Sequence, residues 1–207
     1  MIDQIIIDSI NSQRAVRNCL SLQETLDLTN QGNIVVDPFS TLLSKNAIIG
    51  ENNIFYPNVI IEADSSGSIE IKNNNIFYPQ TFMTAGKDGH IYVGSENHFE
   101  GGVAIKANMQ GSQIVFGNNG RYLNGVQFIG ICNLESGSQV IGNITVQNCI
   151  LEKGETYLHR NPDLRGGLLK GFGLARNLVI GKGKVIDGLG KFDIIDIQDQ
   201  SFFHSKK

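Results

Sequence analysis

The chain has 207 residues, 17 basic against 20 acidic side chains for a formal net charge of −3, and a hydrophobic fraction of 41%. That length suits one domain or one repeat array, and a balanced charge with no basic block excludes nucleic acid or an anionic membrane as the principal partner. No segment approaches the ~18 continuous apolar residues of a spanning helix. The opening MIDQIIIDSINSQ has acidic residues inside its apolar run and no basic start, so it does not read as a secretory leader. Cys19, Cys132 and Cys149 show neither C-x-x-C nor zinc spacing. They read as small buried hydrophobes in a reducing compartment, and the expected location is cytoplasmic.

In chain order, SLQETLDL at 21–28 predicts a short helix, with Ser21 as cap and Glu24 completing a capping box. A segment of that kind at 1–33 protects the open first layer of a repeat array. Val36 and Leu42 or Leu43 then lead into a repeat. ENNIFYPN at 51–58 and NNNIFYPQ at 73–80 share NIFYP at a separation of 22 residues. A fixed period in that range means stacked structural units.

Aligned on NIFYP, each unit has three apolar residues six apart: Ile49, Phe55, Ile61; Ile71, Phe77, Met83; Val93, Phe99, Ile105; and Phe116, Tyr122, Phe128. The jumps between units contain DSSG, GKDG and NMQG, which are turn sequences. Six residues per side means a short strand and a corner. Three sides close an 18-residue triangular coil, and an edge turn brings it to about 22. Side chains alternate along a strand, so the residues two positions back also point inward. They are Ile69, Ile91 and Ile114 in one column, Val59, Thr81, Val103 and Val126 in a second, and Asn53, Asn75 and Asn97 in a third. Stacked Asn side chains satisfy one another inside the coil, so this column reads as structural.

Beyond the clear block, Val140 and Val146 keep a six-residue step out of phase with Phe128. LEKGETYLHRNPDLRGG at 151–167 is polar, contains Pro162 and reads as a long loop; His159 with Arg160, Asp163 and Arg165 there suits a lid or a phosphate contact. Leu168, Leu174, Ile180, Ile186 and Phe192 resume the step of six, although LVIGKGKVIDG also reads as a glycine-rich hairpin. The division is a cap segment at 1–33, a β-helix at 34–150, and a polar loop with a Gly-rich β extension at 151–207.

An aliphatic residue followed by Gly, as at Ile49-Gly50, Val93-Gly94 and Phe116-Gly117 (an aromatic here), repeating in sixes around a three-sided coil, resembles the hexapeptide-repeat, left-handed parallel β-helix superfamily. The resemblance implies an all-β, left-handed parallel β-helix; handedness comes from the family, and a right-handed β-helix with rungs of similar length is the fold alternative. It also implies a homotrimer with parallel axes. Ile54, Tyr56, Ile76 and Tyr78 form an outward apolar stripe that a neighbouring subunit would bury.

The activity that the resemblance implies is acyl transfer from acetyl-CoA or another acyl-CoA to a small or sugar-like hydroxyl or amine acceptor. His98 projects from the middle of the stack as general base, and Glu100, two residues on, would orient it. Lys182 and Lys184 in GKGK stand where such enzymes place cations against CoA phosphates. GKGK is not a phosphate loop, and GFG at 171–173 has no dinucleotide context. One rival is a non-catalytic β-helix scaffold or binding subunit. The other is a γ-carbonic-anhydrase-like metal protein, disfavoured because no two of the four histidines are closely spaced and His90 and His98 fall on different sides. No metal ligands are assigned.

Overall fold

The six-residue step leaves room for strands of two to four residues, each paired in parallel with the strands one coil before and after it. The computed structural model describes residues 3–204, which form an all-β parallel β-helix of the left-handed type with short helices at its start. The first side carries Ile34–Val35, Ile54–Phe55, Ile76–Phe77, His98–Glu100, Arg121–Leu123 and Gln139–Ile141. The second carries Leu42–Leu43, Ile60–Ala63, Phe82–Ala85, Ala104–Ala107, Gln127–Ile129 and Ile144–Gln147. The third runs from Ala47–Ile49 through Ser68–Ile71, His90–Val93, Gln113–Phe116, Ile131–Leu134 and Ile150–Leu151 to Val179–Ile180.

The core is the set of inward columns. Phe55, Phe77, Phe99 and Tyr122 are fully buried in one stack, with ring centroids 5.0, 5.2 and 5.3 Å apart. The Asn column is a continuous ladder: Asn75 Nδ2 donates to Asn53 Oδ1 and Asn97 Nδ2 to Asn75 Oδ1, both at 3.1 Å. It begins one coil earlier than the repeat indicates, at Asn33, whose Oδ1 accepts from Asn53. It ends at Gly120, where a Cβ would meet the Tyr122 hydroxyl at 2.2 Å. That hydroxyl occupies the vacated space and bonds Ser138 Oγ at 2.9 Å, which is why this column changes from Phe to Tyr.

The phase break after Phe128 has a simple cause. Val140 pairs with Tyr122 and Val146 with Phe128, so the columns continue without interruption. Only the edge turn is gone: Gly130 alone separates the strands ending at Ile129 and starting at Ile131. The coil shrinks to its bare triangle. In the last coil the inward residues are Leu169 and Ala175, in register with Val140 and Val146, rather than Leu168 and Leu174. The run at Leu168–Arg176 crosses a corner as one strand because Gly142 and Gly171 pack there. A Cβ on Gly142 would lie 1.8 Å from the Gly171 carbonyl oxygen, and one on Gly171 2.0 Å from that of Gly188. Lys184–Lys191 pairs in parallel with this strand and not with Val179–Ile180, so the segment is a further layer and not a hairpin.

Ahead of the coils, α1 (Gln4–Val16) is capped by Asp3, and α2 (Leu22–Asp27) has the capping box of Ser21 and Glu24. No capping or periodic signal predicted α1. It is held by Arg14, which is 3% exposed and donates to the carbonyls of Leu20 and Thr41 at 2.9 and 3.0 Å, to that of Pro38, and to Thr25 Oγ1. Among the described residues no helix is long and apolar enough to cross a membrane.

Candidate functional site

Outward residues of the first side form two columns flanking the buried aromatic stack. One runs Ile34, Ile54, Ile76, His98, Arg121 and Gln139 in register. The other contains Tyr56, Tyr78, Glu100 and Leu123. The stripe named from the sequence is real as a surface: the Tyr56 and Tyr78 rings stack at 5.1 Å and 4°, and all four of its residues are half-buried. Burial, and then the Glu100 carboxylate, raise the Tyr78 phenol above its usual value.

The C-terminal half of the same side is covered from within the chain. Leu123 and Gln139 point outward yet are nearly buried, and the loop at 152–167 returns over this face. The Arg121 guanidinium lies 5.0 Å from the Tyr157 ring centroid. The loop is tied at its base: Glu155 N–H donates to Leu164 O, Gln200 Nε2 to Gly166 O, and Ser201 N–H to Asp163 Oδ1. His159 is held inside it, its Nδ1 3.2 Å from Asn161 N, while Arg165 donates to the His159 carbonyl. The loop therefore reaches the face through Thr156, Tyr157 and Leu158, not through His159.

Those three residues, with Asn74, Glu96, His98 and Asn119, line a cleft of about 250 Å³. His98 stands on a strand paired on both sides, which fixes its Cα rigidly. Its Nδ1 is 3.8 Å from Glu100 Oε1, and the same oxygen lies 3.4 Å from Arg121 Nε, all three side chains being about one-third exposed. Glu100 is thus shared between the histidine and the arginine. The pair expected from the sequence, His98 and Glu100, does come together.

Lys182 and Lys184 lie elsewhere. The column through His98 continues to Arg121, Gln139, Leu168 and Val185, four strand spacings or ~19 Å along the axis. Lys184 forms an ion pair with Asp199, which raises its ammonium above the ordinary value, and Lys182 is exposed in the preceding turn. His90 meets Ser68 Oγ at 2.6 Å on the third side, and His204 lies near Arg165. Among the described residues no three His, Cys, Asp or Glu side chains gather as a metal-binding set.

Glu96 and Tyr157 were not singled out by sequence reasoning. Glu96 was legible as the one acidic residue in a corner position that is Asn in the neighbouring coils; Tyr157 had no such signal, because a loop's return path is not written in a repeat. No protein-family model matches the sequence, and no curated protein matches it.

Proposed function

We propose that the chain is a small-molecule acyltransferase whose acceptor sits in the cleft beside His98. The observation that carries this reading is the cleft itself: a histidine on a rigid strand, with a carboxylate behind it, under a roof of residues 156–158. His98 takes the proton from a hydroxyl or amine as that group's lone pair attacks the thioester carbonyl of an acyl-CoA. The C–O or C–N bond forms, the C–S bond breaks, and the proton leaves with the CoA thiol. Glu100 supports the charged imidazole. Lys182 is the cation available to a CoA phosphate, Lys184 being partnered by Asp199. The chain works as a homotrimer, its neighbour covering Ile54, Tyr56, Ile76 and Tyr78, the part of the first side that its own loop leaves open.

Calorimetry with acetyl-CoA on the purified protein tests this directly, followed by CoA release with a responsive acceptor. His98→Ala is expected to abolish release while leaving the assembly intact, and Glu100→Gln to lower it less. Absence of acetyl-CoA binding at millimolar ligand would sink the transferase. A second reading, a non-catalytic binding subunit, is favoured by the Lys184–Asp199 pair, which among the described residues leaves Lys182 as the one unpaired lysine of GKGK. It forecasts no CoA binding and an unchanged fold in His98→Ala.

A further inference from the structure

The coil that carries His98 departs from the one before it on its surface and not in its core. Residues 73–80 read NNNIFYPQ and 95–102 read SENHFEGG. The inward Asn97 and Phe99 repeat Asn75 and Phe77, whereas Asn74, Ile76 and Tyr78 give way to Glu96, His98 and Glu100. Three ionisable groups replace three neutral positions within one outward patch.

The backbone does not change with them. Asn52, Asn74, Glu96 and Asn119 occupy the same left-handed corner, with φ of 57°, 60°, 63° and 59°. Asn is tolerated there because its short polar side chain bonds locally, and Glu is not favoured. Local structure therefore gives no reason for Glu96. Glu96 is an exposed residue at the lining of the cleft, and its side chain has no hydrogen-bond or ion-pair partner among the described residues.

The rest of the lining decides which ligands suit that charge. It contains no lysine or arginine. The nearest guanidinium, Arg121, is occupied by Glu100 at 3.4 Å and by the Tyr157 ring at 5.0 Å. A phosphate or carboxylate entering the cleft would face Glu96 with no lysine or arginine among the described lining residues to offset it, and Glu100 already stands behind the His98 imidazole. An ammonium would meet its counter-charge. The Asn74 and Asn119 amides and the Thr156 hydroxyl can both donate and accept, which suits ligand hydroxyls. At about 250 Å³ the space is below the ~300–1,000 Å³ of drug-sized pockets and fits one small unit.

We infer that the cleft takes an amine-bearing polyol of about monosaccharide size, with Glu96 holding the positive charge. This rests on the proposed reading that the His98 cleft is the acceptor site, and it selects the amine among the acceptors that reading allows. An ammonium has no lone pair, so in turnover the bound group gives one proton to solvent before it attacks the thioester and the second to His98 as the C–N bond forms.

The test is calorimetry on the unmodified protein without any acyl donor, using D-glucosamine, D-glucose and D-glucosamine 6-phosphate as probes. Glucosamine should bind at least tenfold more tightly than glucose, and the 6-phosphate more weakly than glucosamine. Glu96→Asn should bring glucosamine down to the glucose level and leave glucose unchanged; Asn already fills this corner in three other coils, so the variant should fold. Equal binding of glucose and glucosamine, tightest binding of the phosphate, or no binding of any probe at tens of millimolar overturns the inference. Because no donor is present, the result separates from the transferase reading. Amine-selective binding without CoA release removes the transferase and keeps the inference, whereas equal CoA release with glucose and glucosamine does the reverse.

Discussion

At the scale of single residues, the same repeat position does different work depending on which way it points. Phe77 is sandwiched between Phe55 and Phe99 with no exposure, so Phe77→Ala removes both stacking partners' contacts and leaves a cavity that parallel neighbours cannot collapse into. It is expected to cost roughly 3–5 kcal/mol in urea unfolding. A loss below about 1 kcal/mol would mean that the column does not hold the coil. Glu96 is the opposite case, an outward residue in a backbone conformation that suits Asn better. Glu96→Asn should therefore raise stability by a few tenths to about 1 kcal/mol, relieving an unfavourable left-handed Glu. A stability gain coupled to loss of amine binding is what a residue retained for function would show.

At the scale of elements, the cap and the loop are each attached by a small number of polar contacts. Arg14 joins α1 to the first coil through four carbonyls, that of Phe39 among them, and a hydroxyl, and its burial lowers the guanidinium below its ordinary value. Removing it orphans these acceptors, and Arg14→Met is expected to cost about 3 kcal/mol, with faster amide exchange at Leu20 and Ser44. Arg14→Lys should rescue little, because a single ammonium cannot replace a planar fork that reaches several carbonyls. A full rescue by lysine would show that charge, not geometry, holds the helix. The loop at 152–167 meets the first side through Tyr157 against Arg121. Tyr157→Ala should open the cleft roof and weaken glucosamine binding several-fold, with unfolding free energy changed by less than about 1 kcal/mol.

At the scale of the whole molecule, the uninterrupted buried columns make alkaline pH the direction of weakness. Burial pushes the Cys149 thiol up to about 11, and Cys132, its neighbour in the third-side column, and the Tyr122 phenol are raised by burial as well. The native state keeps the thiol protons where the unfolded chain, with thiols at about 8.5, has lost them. Stability is then fully present below about pH 8 and falls on the order of 1.4 kcal/mol per pH unit for Cys149 as pH rises from ~8.5 toward the folded value. Urea midpoints at pH 7, 9 and 10 check this, and Cys149→Ala should flatten the slope. A midpoint that rises over the same range contradicts the sign. For the proposed homotrimer, Ile76→Lys places a charge in the open stripe and should shift the species to monomer in light scattering, while a monomer for the unmodified chain removes the proposed interface.

The repeating core could be read from the residues alone. NIFYP, the steps of six and the Asn column were legible because inward positions of a β-helix are fixed by period: a side chain of the wrong size or polarity there is felt by the coils above and below. The capping box at Ser21 and Glu24 was legible for a similar reason, since its contacts span three residues. Whatever depends on where distant segments meet became visible only in the folded chain. It showed that the phase break at Val140 is a deleted edge turn, because pairing, not spacing, defines a column. It placed Leu169 and Ala175 inward where counting pointed to Leu168 and Leu174. It also brought Tyr157 over His98 and set Lys184 against Asp199 rather than near the cleft. His98 was visible as an outward residue in a rigid stack, but its cleft was not, because three of the seven lining residues belong to a loop whose position no periodicity records.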